Sequence, residues 1–332
     1  MAGLLADCHV HFEGTLPEEA LQRLAARAGH AFANLEVFRE RCRGMGDGAG
    51  FLSLYADVCR LFRRPEDYGE AAREMARCLA SDGVGYAEVH VSPEICSRVG
   101  LDPHACLEAI EEGFRAGADD CTCRIVLDTV RHWGPEAAER VLDLHEKKPL
   151  PAVVGFGMGG EEKSFPAAAF GGVYARARAL GLKTTVHAGE WAGPESVTEA
   201  LDALRPDRVD HGIAAAANPR LLERLADELT ILCVAPTGNV ATGAAKSFEE
   251  HPLPRLVEAG VRVALSADDP LFFATTTAGE YRTAREQFGL GELRLRRLAE
   301  NSWRAAFCPP AERDAGIKAL KTWRLPELKR KT

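Results

Sequence analysis

The 332-residue sequence contains no apolar run long enough to span a bilayer. Its first residues, Met1 to Asp7, put no basic region ahead of a short apolar stretch that Asp7 ends, so a secretory signal is not expected. A basic patch is also missing. The formal net charge of −8 is spread along the chain, which argues against a nucleic-acid surface. The ten cysteines include no Cys-x-x-Cys frame, the nearest spacing being Cys121-Thr122-Cys123. Such scattered thiols read as small buried residues in a reduced compartment, and a cytoplasmic protein is expected. There is no internal repeat, low-complexity segment or dividing linker. With 46% hydrophobic residues, the chain is able to bury a large core as one unit, residues 1–332.

Short apolar, β-rich runs alternate with helical patterns. Strands are expected at Leu4–Val10, Val84–Val91, Arg124–Val130, Ala152–Phe156, Lys183–His187, Arg208–His211, Ile231–Val234 and Arg262–Ser266. Helical patterns such as Pro135–His145, Phe170–Leu180, Glu195–Leu204 and Pro219–Leu229 lie between them. Eight strands alternating with helices describe an α/β fold, a (β/α)8 TIM barrel. An open doubly wound sheet is the alternative, but no Gly-x-Gly-x-x-Gly turn follows the first strand. A long excursion after strand one carries Phe51, Leu54, Tyr55, Val58, Leu61 and Phe62 at helical spacing. It is expected to be lid-like, most of this apolar face packing on the barrel and the rest lining a pocket. Two C-terminal helical stretches flank Cys308-Pro309-Pro310, and Lys329-Arg330-Lys331 reads as a solvated end.

A barrel places its chemistry at the C-terminal ends of its strands. Strand one ends in His9-Val10-His11, whose i, i+2 spacing sends both side chains to one side. Strand five ends in His187, followed by Ala188-Gly189-Glu190, strand six in Asp210-His211-Gly212, and strand eight runs into Asp268-Asp269-Pro270. Any one of these histidines alone reads more simply as structural. Four strand ends bearing imidazoles and carboxylates suit a metal, zinc first, with iron or manganese as alternatives. Glu190, three residues beyond His187, reaches the same pocket and is free to move protons. His30, His90, His104, His132, His145 and His251 read as structural or exposed, although His90 ends strand two.

The segments His9-Val10-His11-Phe12-Glu13-Gly14-Thr15-Leu16, His187-Ala188-Gly189-Glu190, His211-Gly212, Pro236-Thr237-Gly238-Asn239 and Asp268-Asp269-Pro270 resemble the adenosine deaminase family of the amidohydrolase superfamily. Weaker echoes are Tyr86-Ala87-Glu88-Val89 and Ala299-Glu300-Asn301-Ser302. The resemblance implies one zinc per chain, held by His9, His11, His187 and Asp268. It implies that Glu190 protonates ring N1 of a purine, that His211 orients the attacking water, and that Asp269 meets N7. His11, Glu13 and Gly160 would contact substrate, Gly160 through its backbone N–H to N3. Ala152–Gly160 contains no Lys of the kind that bridges two metals in some amidohydrolases. The Pro-Cys-x-x-Cys signature of the zinc cytidine-type deaminases is absent.

The implied reaction is hydrolytic removal of the 6-amino group from adenosine or a 5′-modified adenosine. Aminodeoxyfutalosine is a candidate. Free adenine is set lower, because relatives specific for it tend to carry Ser-Ser-Glu where this chain has Gly159-Gly160-Glu161. An amide or phosphoester hydrolase would need neither Glu190 nor Asp269, and a non-catalytic purine-binding protein would need no complete ligand set. Gly157, Gly238, Asp210 and Glu13 depart from residues frequent in the family. The two glycines are expected to leave room for a larger substrate, and Glu13 to meet a sugar hydroxyl. The partner is a small purine nucleoside.

Overall fold

A computed structural model describes residues 3–117 and 120–323. The terminal charge run, Lys329-Arg330-Lys331, lies outside them. The parallel strands are β1 (Leu5–His11), β2 (Val84–Val91), β3 (Thr122–Val130), β4 (Val153–Gly159), β5 (Lys183–Thr184), β6 (His187–Ala188), β7 (Val209–His211), β8 (Ile231–Val234) and β9 (Arg262–Leu265). They pair in sequence order, β1 to β5 in one sheet and β6 to β9 in another. Two seams join the sheets. At one, the run from β5 to β6 lies between them, with Thr185 N–H on Phe156 O of β4 at 3.0 Å and Asp210 N–H of β7 on Val186 O at 2.9 Å. At the other, Val10 and Asp268 form a parallel bridge, with His11 N–H on Asp268 O and Asp268 N–H on His9 O. This is the strand order of an α/β barrel, each parallel step carried by a crossover on the outside.

The expected fifth strand is interrupted, and a side chain explains the break. Thr185 O accepts from the buried Tyr174 hydroxyl at 2.7 Å, so it is withdrawn from the ladder, while Thr185 Oγ1 donates to Asp210 Oδ2 at 2.7 Å. The remaining strands match their apolar runs to within a few residues, because strands buried on both faces read as continuous hydrophobic segments.

A buried ion pair crosses the barrel interior. Arg208, with no solvent exposure, pairs with Glu88, donates to Cys8 O at 2.6 Å and to Ala305 O at 3.1 Å, and lies 4.1 Å above the Phe307 ring. Burying a charge this deeply is tolerable only with partners of this kind, which satisfy the two terminal nitrogens and leave Nε without a hydrogen bond. Glu88 and the Asn301-Ser302 segment thus hold the fold: Asn301 donates to Val263 O and Glu88 receives Phe307 N–H. After β1 the excursion forms the helices Glu18–Ala28, Leu35–Arg43, Gly48–Cys59 and Pro65–Ser81. Phe51 packs against Phe272 and Phe273, and Phe62 against Phe12 and Tyr68. The C-terminal helices are Glu292–Ala305 and Pro310–Ala319. No helix among the described residues is long and apolar enough to cross a membrane.

Candidate active site

The strand ends converge. Nε2 of His9, His11 and His187 lie 3.0–3.3 Å from one another, and Asp268 Oδ1 lies 3.3 Å from the first two. Ligand atoms about 2.0–2.1 Å from one tetrahedral ion would be roughly 3.3–3.4 Å apart. The four side chains therefore fit a single divalent metal. His187 Nδ1 lies 3.1 Å from Met158 O, so its proton sits on Nδ1 and the Nε2 lone pair faces the cluster. Asp268 and His211 both hold φ near +60°, unusual for non-glycine residues and frequent at sites where the surrounding structure enforces strain.

Three groups stand beside this cluster. His211 Nε2 is 3.4 Å from Glu190 Oε2 and 4.0 Å from Asp268 Oδ2. Burial, with the charges of Asp268, Glu162 and Asp269, pushes the Glu190 carboxyl well above the usual range. Burial and the adjacent Asp268 do the same for Asp269, whose Oδ1 has no hydrogen-bond partner. Gly14 lets Asp269 come this close, since a Cβ on Gly14 would stand 1.7 Å from that oxygen. An unpartnered buried carboxyl facing a cavity is a group that a ligand would satisfy.

Second-layer contacts settle the protonation of His211. Leu253 N–H donates to His251 Nδ1 at 3.1 Å, which puts the ring proton of His251 on Nε2. That proton points at Asn239 Oδ1, 3.3 Å away, so Asn239 turns its Nδ2 to His211 Nδ1 at 3.1 Å. His211 must then carry its proton on Nε2, aimed at Glu190 and the metal cluster. Burial, then His211, lowers the His251 pKa to about 4, which keeps the relay neutral.

Glu162 holds the loop between them. Its carboxylate accepts the backbone N–H groups of Gly189, Glu190, Trp191 and Ala192, and the Ser196 hydroxyl. The buried Arg131 guanidinium donates to His187 O and to Phe165 O. These contacts fix the segment that bears both His187 and Glu190.

The cluster opens on a cavity of about 700 Å³. His11, Gly160, His187, Glu190, His211, Asp268 and Asp269 line it, as do Phe51, Tyr55 and Phe62 from the excursion. Glu13 is buried behind Tyr55, whose hydroxyl donates to Glu13 Oε2 at 2.7 Å; Tyr55, not Glu13, lines the cavity. The glycine expectation is corrected. A Cβ on Gly157 would meet Asp128 Oδ1 at 2.9 Å, and one on Gly238 would meet Phe273 at 2.8 Å. The space each glycine frees is filled by the chain itself. Asp210 accepts from Thr185 beneath the site, with no exposure to solvent.

His90, read from the sequence as structural or exposed, and Asp128, to which the sequence reading gave no role, both join the site. His90 Nδ1 is 3.5 Å from Asp128 Oδ1, and both line the cavity. Asp128 lies near the C-terminal end of β3, so the strand-end rule would have found it had it been applied there.

The adenosine deaminase family model matches residues 5–323. An adenine deaminase of Chelativorans sp. (strain BNC1) is 38% identical over 321 residues, covering 96% of this chain and 98% of that protein. An adenine deaminase of Rhizobium meliloti (strain 1021) is 36% identical over 317 residues, covering 95% and 97%. Among solved structures, an adenine deaminase from Arthrobacter aurescens aligns with a TM-score of 0.92 at 27% identity, covering 97% of this chain and 99% of that one. A zinc-bound amidohydrolase from Burkholderia ambifaria aligns at 0.89 and 26%, covering 96% and 89%. With the family pattern running through nearly all of its length, this chain belongs to the adenosine deaminase family and is a hydrolytic deaminase.

Proposed function

We propose that the enzyme uses one zinc ion to hydrolyse the 6-amino group of an adenine substituted at N9, adenosine or a 5′-modified adenosine, releasing ammonia and the 6-oxopurine. The observation that carries this reading is the meeting of Glu190, His211 and Asp269 beside the His9, His11, His187 and Asp268 cluster on one cavity. When bound, the metal would acidify a water, lowering its pKa from about 15.7 toward about 7.

The chain's own residues supply the rest. His211 Nε2–H donates a hydrogen bond to the attacking water and fixes its direction. Glu190, protonated through burial, gives its proton to N1 as C6 becomes tetrahedral and aromaticity is lost. Asp269, also held in its protonated form, donates to N7. Gly160 offers its backbone N–H to N3; its φ of +94° suits a glycine, and it lines the cavity. Tyr55 rather than Glu13 faces the sugar end.

A substituent at N9 is favoured by size. A base alone fills a small part of a cavity in the roughly 300–1,000 Å³ range typical of drug-sized ligands. Free adenine is the second reading, favoured by the names of the relatives at 36–38% identity and weighed against by the Gly159-Gly160-Glu161 segment. Loss of the adenine absorbance band, followed with adenine, adenosine and a neutral 5′-extended adenosine, tests the choice. The expected order places a nucleoside about tenfold or more above adenine in kcat/KM. Adenine as the best substrate would overturn the nucleoside reading, and no turnover of any of the three would overturn adenine deamination itself.

A further inference from the structure

We propose that the cavity mouth recognises an anionic group, a carboxylate or a phosphate, carried on the far end of the N9 substituent; this rests on the nucleoside reading above. Three arginines, Arg60, Arg63 and Arg98, line the same cavity as the metal cluster. All three are exposed, as expected of residues at an opening. Arg60 already has a partner, Asp57, at 2.9 Å. Among the described residues, neither Arg63 nor Arg98 has a carboxylate within ion-pairing distance.

Other exposed arginines share that lack, and what sets these two apart is their place on the cavity. Acidic residues outnumber basic ones, 49 to 41. Several arginines elsewhere on the surface are paired, such as Arg23 with Glu74, Arg39 with Glu18 and Arg176 with Glu139, Asp143 and Glu146, while others, such as Arg73, Arg77 and Arg220, are exposed with no ion pair among the described residues. Arg98 is also held in place, its guanidinium 3.8 Å from the centroid of Trp133, another cavity residue. Stacking of this kind orders the planar fork that pairs with carboxylate or phosphate and leaves its edge N–H groups free.

The charge around the cavity is divided. Asp268, whose carboxyl is held below its usual range, supplies negative charge within the histidine cluster, and the arginines supply the opposite sign. Leu52, Ala56, Ile95, Val99 and Val130 add apolar wall. A ligand with a base at one end, a neutral middle and an anion at the other would meet favourable surroundings only in one orientation, 6-amino group toward the metal cluster. The field would also draw such a substrate toward the opening.

The test compares adenosine with adenosine 5′-monophosphate and adenosine 5′-carboxylic acid, in the wild type and in an Arg63→Gln, Arg98→Gln double variant. Wild type is expected to favour at least one anion over adenosine in kcat/KM by roughly 10- to 100-fold, the worth of a charge-assisted hydrogen bond. The preference should shrink as salt is raised. The arm with the larger gain identifies carboxylate or phosphate as the preferred group. In the double variant the anion-to-adenosine ratio should fall about tenfold or more, and in Arg63→Glu, Arg98→Glu it should invert. Calorimetric binding of inosine and inosine 5′-monophosphate reads the same preference without turnover. Adenosine turnover with no anion advantage in either assay would overturn this proposal and leave the nucleoside reading standing, as would an unchanged ratio in variants of unaltered melting temperature. Adenine as the best substrate would overturn both.

Discussion

Glu162 holds the backbone of Glu190 from 28 residues upstream: its Oε2 accepts the Glu190 N–H at 3.1 Å and the next two N–H groups at 2.9 and 3.1 Å. These hydrogen bonds lower the Glu162 pKa despite burial, so the carboxylate stays ionised and remains a pure acceptor. A Gln there would turn an N–H₂ group toward N–H donors. Glu162→Gln is therefore expected to lower kcat about 10- to 100-fold, the scale of a displacement near 1 Å at a reacting group. Metal content should remain near one per chain, because His9, His11 and Asp268 come from other segments. Steady-state kinetics and elemental analysis check this; a kcat within about twofold of wild type would remove Glu162 from any positioning role.

The His251–Asn239–His211 relay makes a second prediction. Replacing His251 by Leu leaves Asn239 Oδ1 without its donor, and the amide is then free to flip. The tautomer of His211 would no longer be enforced, and kcat should fall about tenfold or more, consistent with the weight of a correctly oriented base or donor. His251→Gln keeps an N–H donor and should recover much of the loss. Nitrogen NMR of the His211 ring should report Nε2–H in wild type and a mixture in the Leu variant. A pure Nε2–H ring in the Leu variant, with full activity, would show that the relay does not set the tautomer.

Metal binding and proton donation should separate cleanly. His11→Ala removes one of four donors and should empty the site, abolishing turnover. Glu190→Gln keeps size and should retain the metal while losing about 10²–10⁴ of the rate. Elemental analysis of chelated and zinc-reconstituted protein should give one zinc per chain. A second tightly held ion would draw on the adjoining His11, His90 and Asp128 group and would end the mononuclear reading.

The legible part of this site was what strand periodicity and strand ends could carry. The His9 and His11 pair, His187, His211 and Asp268 each terminate an apolar run, and barrel geometry brings such ends together. What stayed hidden works across the fold. Glu162 reads as a loop acid, and nothing in its neighbourhood says that it binds N–H groups near residue 190. His251 sits on no strand, and its role depends on an amide orientation twelve residues away. The break in the fifth strand is made by Tyr174, a helix residue. Gly157 and Gly238 looked like missing bulk in the pocket, but neighbouring side chains occupy that volume. A glycine in a sequence reports a close approach without saying what approaches.

Glu280 gives a pH prediction away from the metal cluster. It lies on the helix Thr277–Glu286, fully buried, and accepts Thr237 N–H at 3.1 Å and the Thr275 hydroxyl. Burial outweighs these hydrogen bonds and raises its pKa from 4.5 to about 7. The folded state therefore binds this proton more tightly than the unfolded chain. Below about pH 4.5 both states are protonated and the group costs nothing. As pH rises toward 7 the unfolded state ionises first, and folding stability declines; above about 7 the full cost, about 3 kcal/mol, is present. Glu280→Gln does not titrate, and its amide can still accept from Thr237 N–H while donating to Thr275. Urea unfolding of both proteins at pH 5, 6, 7 and 8 isolates the group by difference. The variant should gain on wild type steadily from pH 5 to 7, then level off. A difference that stays constant over this range would mean that Glu280 does not carry a raised pKa.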